Sequence, residues 1–203
     1  MRTLPFAVMT TTSLRTLSTA IGIALFVAGA RAQHKATDTP VDFSASVTVT
    51  SGIGTAATTM KVHIDKYTDE RDRTKLVDAL KTNGYQAFLP QFRKLPIVGY
   101  IQIKEQKWDL RWAHNETTDK GQKVTVATDK PMFFLGGGTT AQPKARAGYE
   151  LGVVQMDVDT IGMGSGTMAG AARVKPTPDM KGVTIDDYAD VPTKLTSVSR
   201  IFS

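Results

Sequence analysis

From residue 41 onward, hydrophobic positions alternate with polar ones. Phe43, Ala45, Val47 and Val49 fall on one face, and Ser44, Ser46, Thr48 and Thr50 on the other. A period of two is that of a half-buried strand. After the Gly/Thr-rich stretch "SGIGTAAT", Met60, Val62 and Ile64 alternate with Lys61, His63 and Asp65. The two segments predict a first hairpin.

The period then changes. "TDERDRTKLVDALKTNG" carries acidic residues in its first turn and Leu76, Val77 and Leu80 at helical spacing. Asn83-Gly84 is a C-terminal stop. "YQAFLPQFRKLP" continues a helical stripe through Tyr85, Phe88, Leu89, Phe92 and Leu95, with Pro90 placed to kink or restart it. Residues 69–95 therefore predict a helical hairpin, or one broken helix, packed on a sheet by its apolar stripe.

Beyond Pro96 the pattern returns to strands. "IVGYIQI", "KWDLRWAH" and "QKVTVATD" read as a meander. Residues 131–147, rich in Gly and Pro, break the pattern and form the longest irregular stretch. "GYELGVVQMDV", "GTMAGAARV", "GVTIDDY" and "TKLTSVSRIF" add four strand-like runs. The expectation is a mainly β chain: an antiparallel sandwich or barrel of about nine short strands with the helical hairpin inserted at 69–95. Strands do not alternate with regular helices, so a parallel sheet is not expected.

The N-terminus changes the picture. The apolar run Leu17–Ala30 follows Arg2 and Arg15 and ends at Ala30-Arg31-Ala32, which reads as a signal peptide over 1–32. A retained N-terminal anchor is the alternative. Residues 33–40, "QHKATDTP", read as a loose mature N-terminus, and 41–203 as one β-rich domain. Removing Arg2, Arg15 and Arg31 leaves 22 basic against 19 acidic residues, a net charge of +3 rather than +6. That balance, with no basic run, gives no case for nucleic acid. Cysteine is absent, which removes disulfides, thiolate metal sites and Cys nucleophiles.

Candidate chemistry is sparse. "DVDTIGMGSGTMAGAARV" (157–174) contains a G-x-G-x-x-A pattern from Gly164. A dinucleotide site needs a long helix after it, and Pro176, Pro178 and Gly182 leave no room for one. From Asp157 the same stretch imitates a calcium loop, but Ile161 and Met168 stand at positions that require oxygen ligands. A hairpin turning near Asp159–Gly164 is the expectation. His63, Asp65 and His114 are metal ligands only if their strands meet, and they read as solvent-facing polar residues. No metal, cofactor or catalytic residue is assigned. Trp108, Leu110, Trp112 and His114 fall on one face by alternation. Trp108, Trp112, His114, Phe133 and Phe134 are the expected lining of a ligand cavity, for a small apolar or saccharide ligand.

"LPIVGYIQI", "VTVATDKP", "GYELGVVQMDVDTIGMGSGTMAGAARV" and "TIDDYADVPTKLTSV" together resemble an uncharacterised family of secreted bacterial proteins of about this size. The resemblance implies export and a single domain, and carries no activity. The expected function is an exported binding or envelope-associated module. The rivals are a small hydrolase built on carboxylates such as Asp186, Asp187 and Asp190, and an outer-membrane β-barrel.

Overall fold

The computed structural model describes residues 40–51, 54–132, 147–180, 182–189 and 191–202. Residues 1–39, which include the expected signal peptide, and Phe133 and Phe134 lie outside them. The chain forms β1 (Val41–Ser51), β2 (Gly54–Ile64), α1 (Glu70–Arg93), β3 (Gly99–Ile103), β4 (Gln106–Thr118), β5 (Gly121–Thr128), β6 (Leu151–Asp159), β7 (Met163–Pro176), β8 (Val183–Tyr188) and β9 (Thr193–Ile201). Neighbouring strands pair antiparallel from β1 through β6. β7 pairs with β6 on one edge and β9 on the other, and β9 returns to β1. Eight strands thus close a barrel, of the two architectures expected. β8 is an extra strand on the upper half of β7, beyond the end of β9.

Alternation produces the two faces. Phe43, Ala45 and Val47 of β1 and Met60, Val62 and Ile64 of β2 point inward and are sealed from solvent. They meet Ile101, Ile103, Leu110, Val124, Val126, Val154, Met156, Met168 and Leu195 from the other strands. An eight-stranded barrel is just wide enough for such side chains to fill it. Ser44 and Ser46 of β1 face outward, as the polar set predicts. Register slips are local: β9 carries an extra residue at Ser197, whose φ is 50°, which brings both Leu195 and Val198 to the interior.

The helical insertion is tied down at both ends on one strand. Thr68 N donates to Ala113 O at 2.8 Å, while Val98 N donates to Leu110 O at 2.9 Å and Arg111 Nη1 to Leu95 O at 2.8 Å. Three residues of β-strand separate those anchors, ~10 Å. A straight helix of 24 residues would span ~36 Å. The chain must therefore double back, and it does so at Gly84, with φ 68° and ψ −163°. The insertion is the expected helical hairpin, with a one-residue corner at Gly84; Pro90 lies inside the second arm. Asp69 caps the first arm, its Oδ1 accepting from Asp72 N at 2.8 Å.

Leu76, Val77 and Leu80 from the first arm and Phe88 and Phe92 from the second form a second core outside the barrel. It covers the outward residues Trp112, Ala127, Val153, Ala169, Ala172 and Val174. The barrel wall is thus apolar on both sides beneath the hairpin, and Leu151–Val154 has no polar residue for that reason.

The glycine-rich stretch 157–174 is strand, turn and strand. Asp159 Oδ1 accepts from Ile161 N at 3.0 Å and from Met163 N at 2.9 Å, which closes the turn. Gly164 and Gly166 pair with Val158 and Met156. A Cβ on either would collide with the backbone carbonyl of β6, at Asp157 or Gln155. These glycines let β6 and β7 approach at the closure of the barrel. Asp157 lies on the outer wall beside Lys123, at 3.8 Å.

Candidate functional site

Trp108 pairs with Ile101 and packs half-buried against the interior cluster. Pairing between β4 and β5 begins only at Leu110–Thr128, so Gln106–Asp109 projects beyond β5 and places Trp108 at the rim. Met132 reaches the same end of the barrel. Its N donates to Gly170 O at 2.7 Å, and its side chain joins the interior. At the opposite end Tyr67 packs onto the interior cluster; burial raises its pKa, against the lowering influence of Arg200. The interior is lined mainly by apolar side chains, four of them methionines: Met60, Met132, Met156 and Met168. Thr128, opposite Leu110, is a buried polar residue on the same face.

The alternation that grouped Trp108, Leu110, Trp112 and His114 does not hold. Leu110 pairs with Thr128 but Trp112 with Ala127, so Arg111 is the extra residue of a β-bulge. Below it the phase is reversed. Trp112 lies outside the barrel in the core beneath the hairpin, and Ala113 takes the inward place. His114 follows Trp112 outward, with their ring centroids 6.2 Å apart. Of the three expected cavity residues among the described residues, only Trp108 is at the barrel mouth; Phe133 and Phe134 lie outside the described residues. Trp112 and His114 line the opposite face of the wall.

His114 belongs to an arrangement that sequence reading missed. The register places His114 opposite Thr125, Thr125 opposite Gln155, and Gln155 opposite Thr167. These four outward residues form one row across β4, β5, β6 and β7. Thr125 is 3% exposed and Gln155 7%. Neither side chain has a hydrogen bond among the described residues, and neither polar end is fully sealed from solvent. Burial lowers the His114 pKa, and the positive charge of Arg73 lowers it further, against Glu116 and Glu70. The row offers hydroxyl, amide and neutral imidazole groups at the edge of the hairpin.

Two further polar clusters are structural ties. On the outer face of β1–β3, His63 Nδ1 lies 2.9 Å from Asp42 Oδ1 and Nε2 3.1 Å from Asp65 Oδ1. Tyr100 stacks on His63, and Lys107 Nζ sits 3.7 Å above the Tyr100 ring. Burial tends to raise the Asp42 pKa, but the His63 hydrogen bond and the His63 and Lys61 charges outweigh it, and the net shift is downward. His63 and His114 are on different faces of the protein and do not meet. Near the hairpin corner, Tyr85 Oη donates to Glu150 at 2.8 Å and Tyr149 Oη to Asp187. Asp186 takes Arg173 at 2.9 Å and Lys175 at 3.0 Å. The Lys175 hydrogen bond leads in lowering its pKa, with Arg173 helping against burial. Burial, then Glu150, pushes Tyr85 well above the usual tyrosine range. Asp190 is outside the described residues.

No helix among the described residues is long and apolar enough to cross a membrane. No family model, curated protein or solved structure matches the chain.

Proposed function

We propose that this is an exported binding module that takes a small apolar ligand at the Trp108 end of the barrel. The observation that carries it is an inward-facing, half-buried tryptophan at the rim of a mainly apolar interior. Methionine side chains repack readily around a guest, and four of them line that interior. Trp112→Phe leaves Trp108 as the sole tryptophan. Titration of that variant with N-phenyl-naphthylamine should give saturable energy transfer from Trp108, lost in Trp108→Phe. Absence of saturable transfer in the Trp112→Phe protein would overturn the reading.

A second reading has its own observation. The row His114–Thr125–Gln155–Thr167 holds hydrogen-bonding groups for which no hydrogen-bond partner occurs among the described residues, although two are more than nine-tenths buried. Such groups are satisfied by water or by a ligand's hydroxyls, which favours a saccharide. Calorimetry with maltotetraose and chitotetraose tests it: binding that Gln155→Ala abolishes supports it, and heat unaffected by that change removes it.

The carboxylate hydrolase has less support. A general acid needs a carboxyl held above its usual range, and Asp186 is displaced the other way. Glu150 and Asp187 each accept a tyrosine hydroxyl instead. The outer-membrane barrel has least. Its lipid-facing wall would be apolar, whereas here Asp42, Lys61, Lys123 and Asp157 face outward in ion pairs.

A further inference from the structure

One rim of the barrel gathers exposed apolar side chains. Ile161 is 71% exposed and Phe202 70%, with Met163 and Ile201 beside them about half exposed. They form one surface. Arg200 N donates to Gly162 O at 2.7 Å, and Met163 pairs with Ser199 across β7 and β9. The Phe202 ring lies against the Gly162 turn, and Arg200 stacks on it. A contiguous apolar patch on an otherwise charged wall marks an interaction surface.

The register says what lies next to it. Asp42 is paired directly with Ile201, and Val41 with Ile64. The chain therefore enters the barrel beside Ile201 and Phe202. Its sequence before that point holds the apolar run Leu17–Ala30. The stretch 31–40 between them is ten residues, which reach at most ~35 Å. Where the run is retained as an anchor, the Ile161–Phe202 rim is the part of the barrel held nearest to the bilayer it enters.

We infer that this rim docks on a lipid bilayer, with Ile161, Met163, Ile201 and Phe202 inserted at the headgroup level. Arg200 is placed beside them to meet lipid phosphate. The inference rests on the alternative in which Leu17–Ala30 is retained as an N-terminal anchor, and is independent of any ligand. The Trp108 mouth then faces away from the bilayer, because the β3–β4 turn and the Gly162 turn are at opposite ends of the barrel.

The absence of cysteine allows a direct test on the full chain. Ile161→Cys carries a polarity-sensitive fluorophore at the rim, and Val191→Cys carries the same dye at an exposed site toward the other end. Vesicles of phosphatidylethanolamine and phosphatidylglycerol should shift the emission at 161 to the blue and leave that at 191 unchanged. Adding Phe202→Ser to the Ile161→Cys chain should reduce the shift. Equal shifts at both sites, or none at 161, would overturn the inference. So would a shift at 161 that needs no vesicles and grows with protein concentration, since the rim would then pair with a second copy.

Discussion

Trp108 and Trp112 lie four residues apart on β4 and on opposite sides of the barrel wall. Trp108 packs on the interior, whereas Trp112 is in the core beneath the helical hairpin. The extra residue Arg111 causes the reversal. Its Nη1 bonds Leu95 O, and its Nε lies 3.6 Å from Asp129. The bulge thus turns a tryptophan toward the hairpin and anchors the hairpin's second arm with the same residue.

The two tryptophans should therefore differ in solution. Trp112→Ala empties a sealed site and is expected to cost about 3–5 kcal/mol. Trp108→Ala, at the half-exposed rim, is expected to cost about half as much. Urea unfolding measures both. In fluorescence, iodide should quench Trp108 in the Trp112→Phe protein and leave Trp112 in Trp108→Phe largely unquenched. Equal quenching would contradict the bulge.

The corner of the hairpin depends on one backbone conformation. Gly84 sits where other residues are strained by about 1–3 kcal/mol. A Cβ there meets nothing within 4 Å, so Gly84→Ala is strain without collision. Its Tm should fall by about 2–4 °C for each kcal/mol. An unchanged melting temperature would mean that the corner lies elsewhere.

The strands were legible because alternation is local. Phe43–Val47 and Met60–Ile64 announce their inward faces within a few residues, and Asn83-Gly84 announces the corner. What the sequence left out is non-local. The row His114–Thr125–Gln155–Thr167 exists only through three strand pairings, and no short window contains it. The Arg111 bulge left one trace, the adjacent apolar pair Trp112-Ala113, where strict alternation calls for one of them to be polar. The barrel was not separable from a sandwich, because completing the ring also requires the β7–β9 and β9–β1 pairs between segments not adjacent in sequence.

His114 gives stability a pH dependence of known sign. Its folded pKa is below the ordinary 6.5, chiefly through burial. A histidine lowered on folding stabilises fully above its unfolded pKa, and that stability is lost as pH falls through the region below it. The midpoint in urea should therefore decline as pH drops below about 6.5. In His114→Gln that decline should be reduced. Asp42 and Asp186 act lower. Both are depressed from 3.8, so their contribution is present above that pH and is lost in stronger acid. A His114→Gln profile identical to that of the unsubstituted protein between neutrality and pH 5 would assign the slope to other groups.

Gly164 tests what the G-S-G motif is for. A phosphate loop would need Gly164 and Gly166 for the approach of a ligand, whereas here they admit the backbone of β6. A methyl group at 164 runs into the Asp157 carbonyl oxygen, and neither group can turn aside, because both belong to paired backbone. Gly164→Ala should therefore separate β6 from β7 at the barrel's closure and cost more than Gly84→Ala, which meets no atom. Overpacking of this kind costs about 1–3 kcal/mol or more. Hydrogen exchange should locate the damage, with faster exchange at Asp157–Asp159 and Met163–Gly166 and little change in β1–β3. If Gly164→Ala unfolds at the same urea concentration as the unsubstituted protein, the close approach of β6 and β7 is not what fixes glycine at this position.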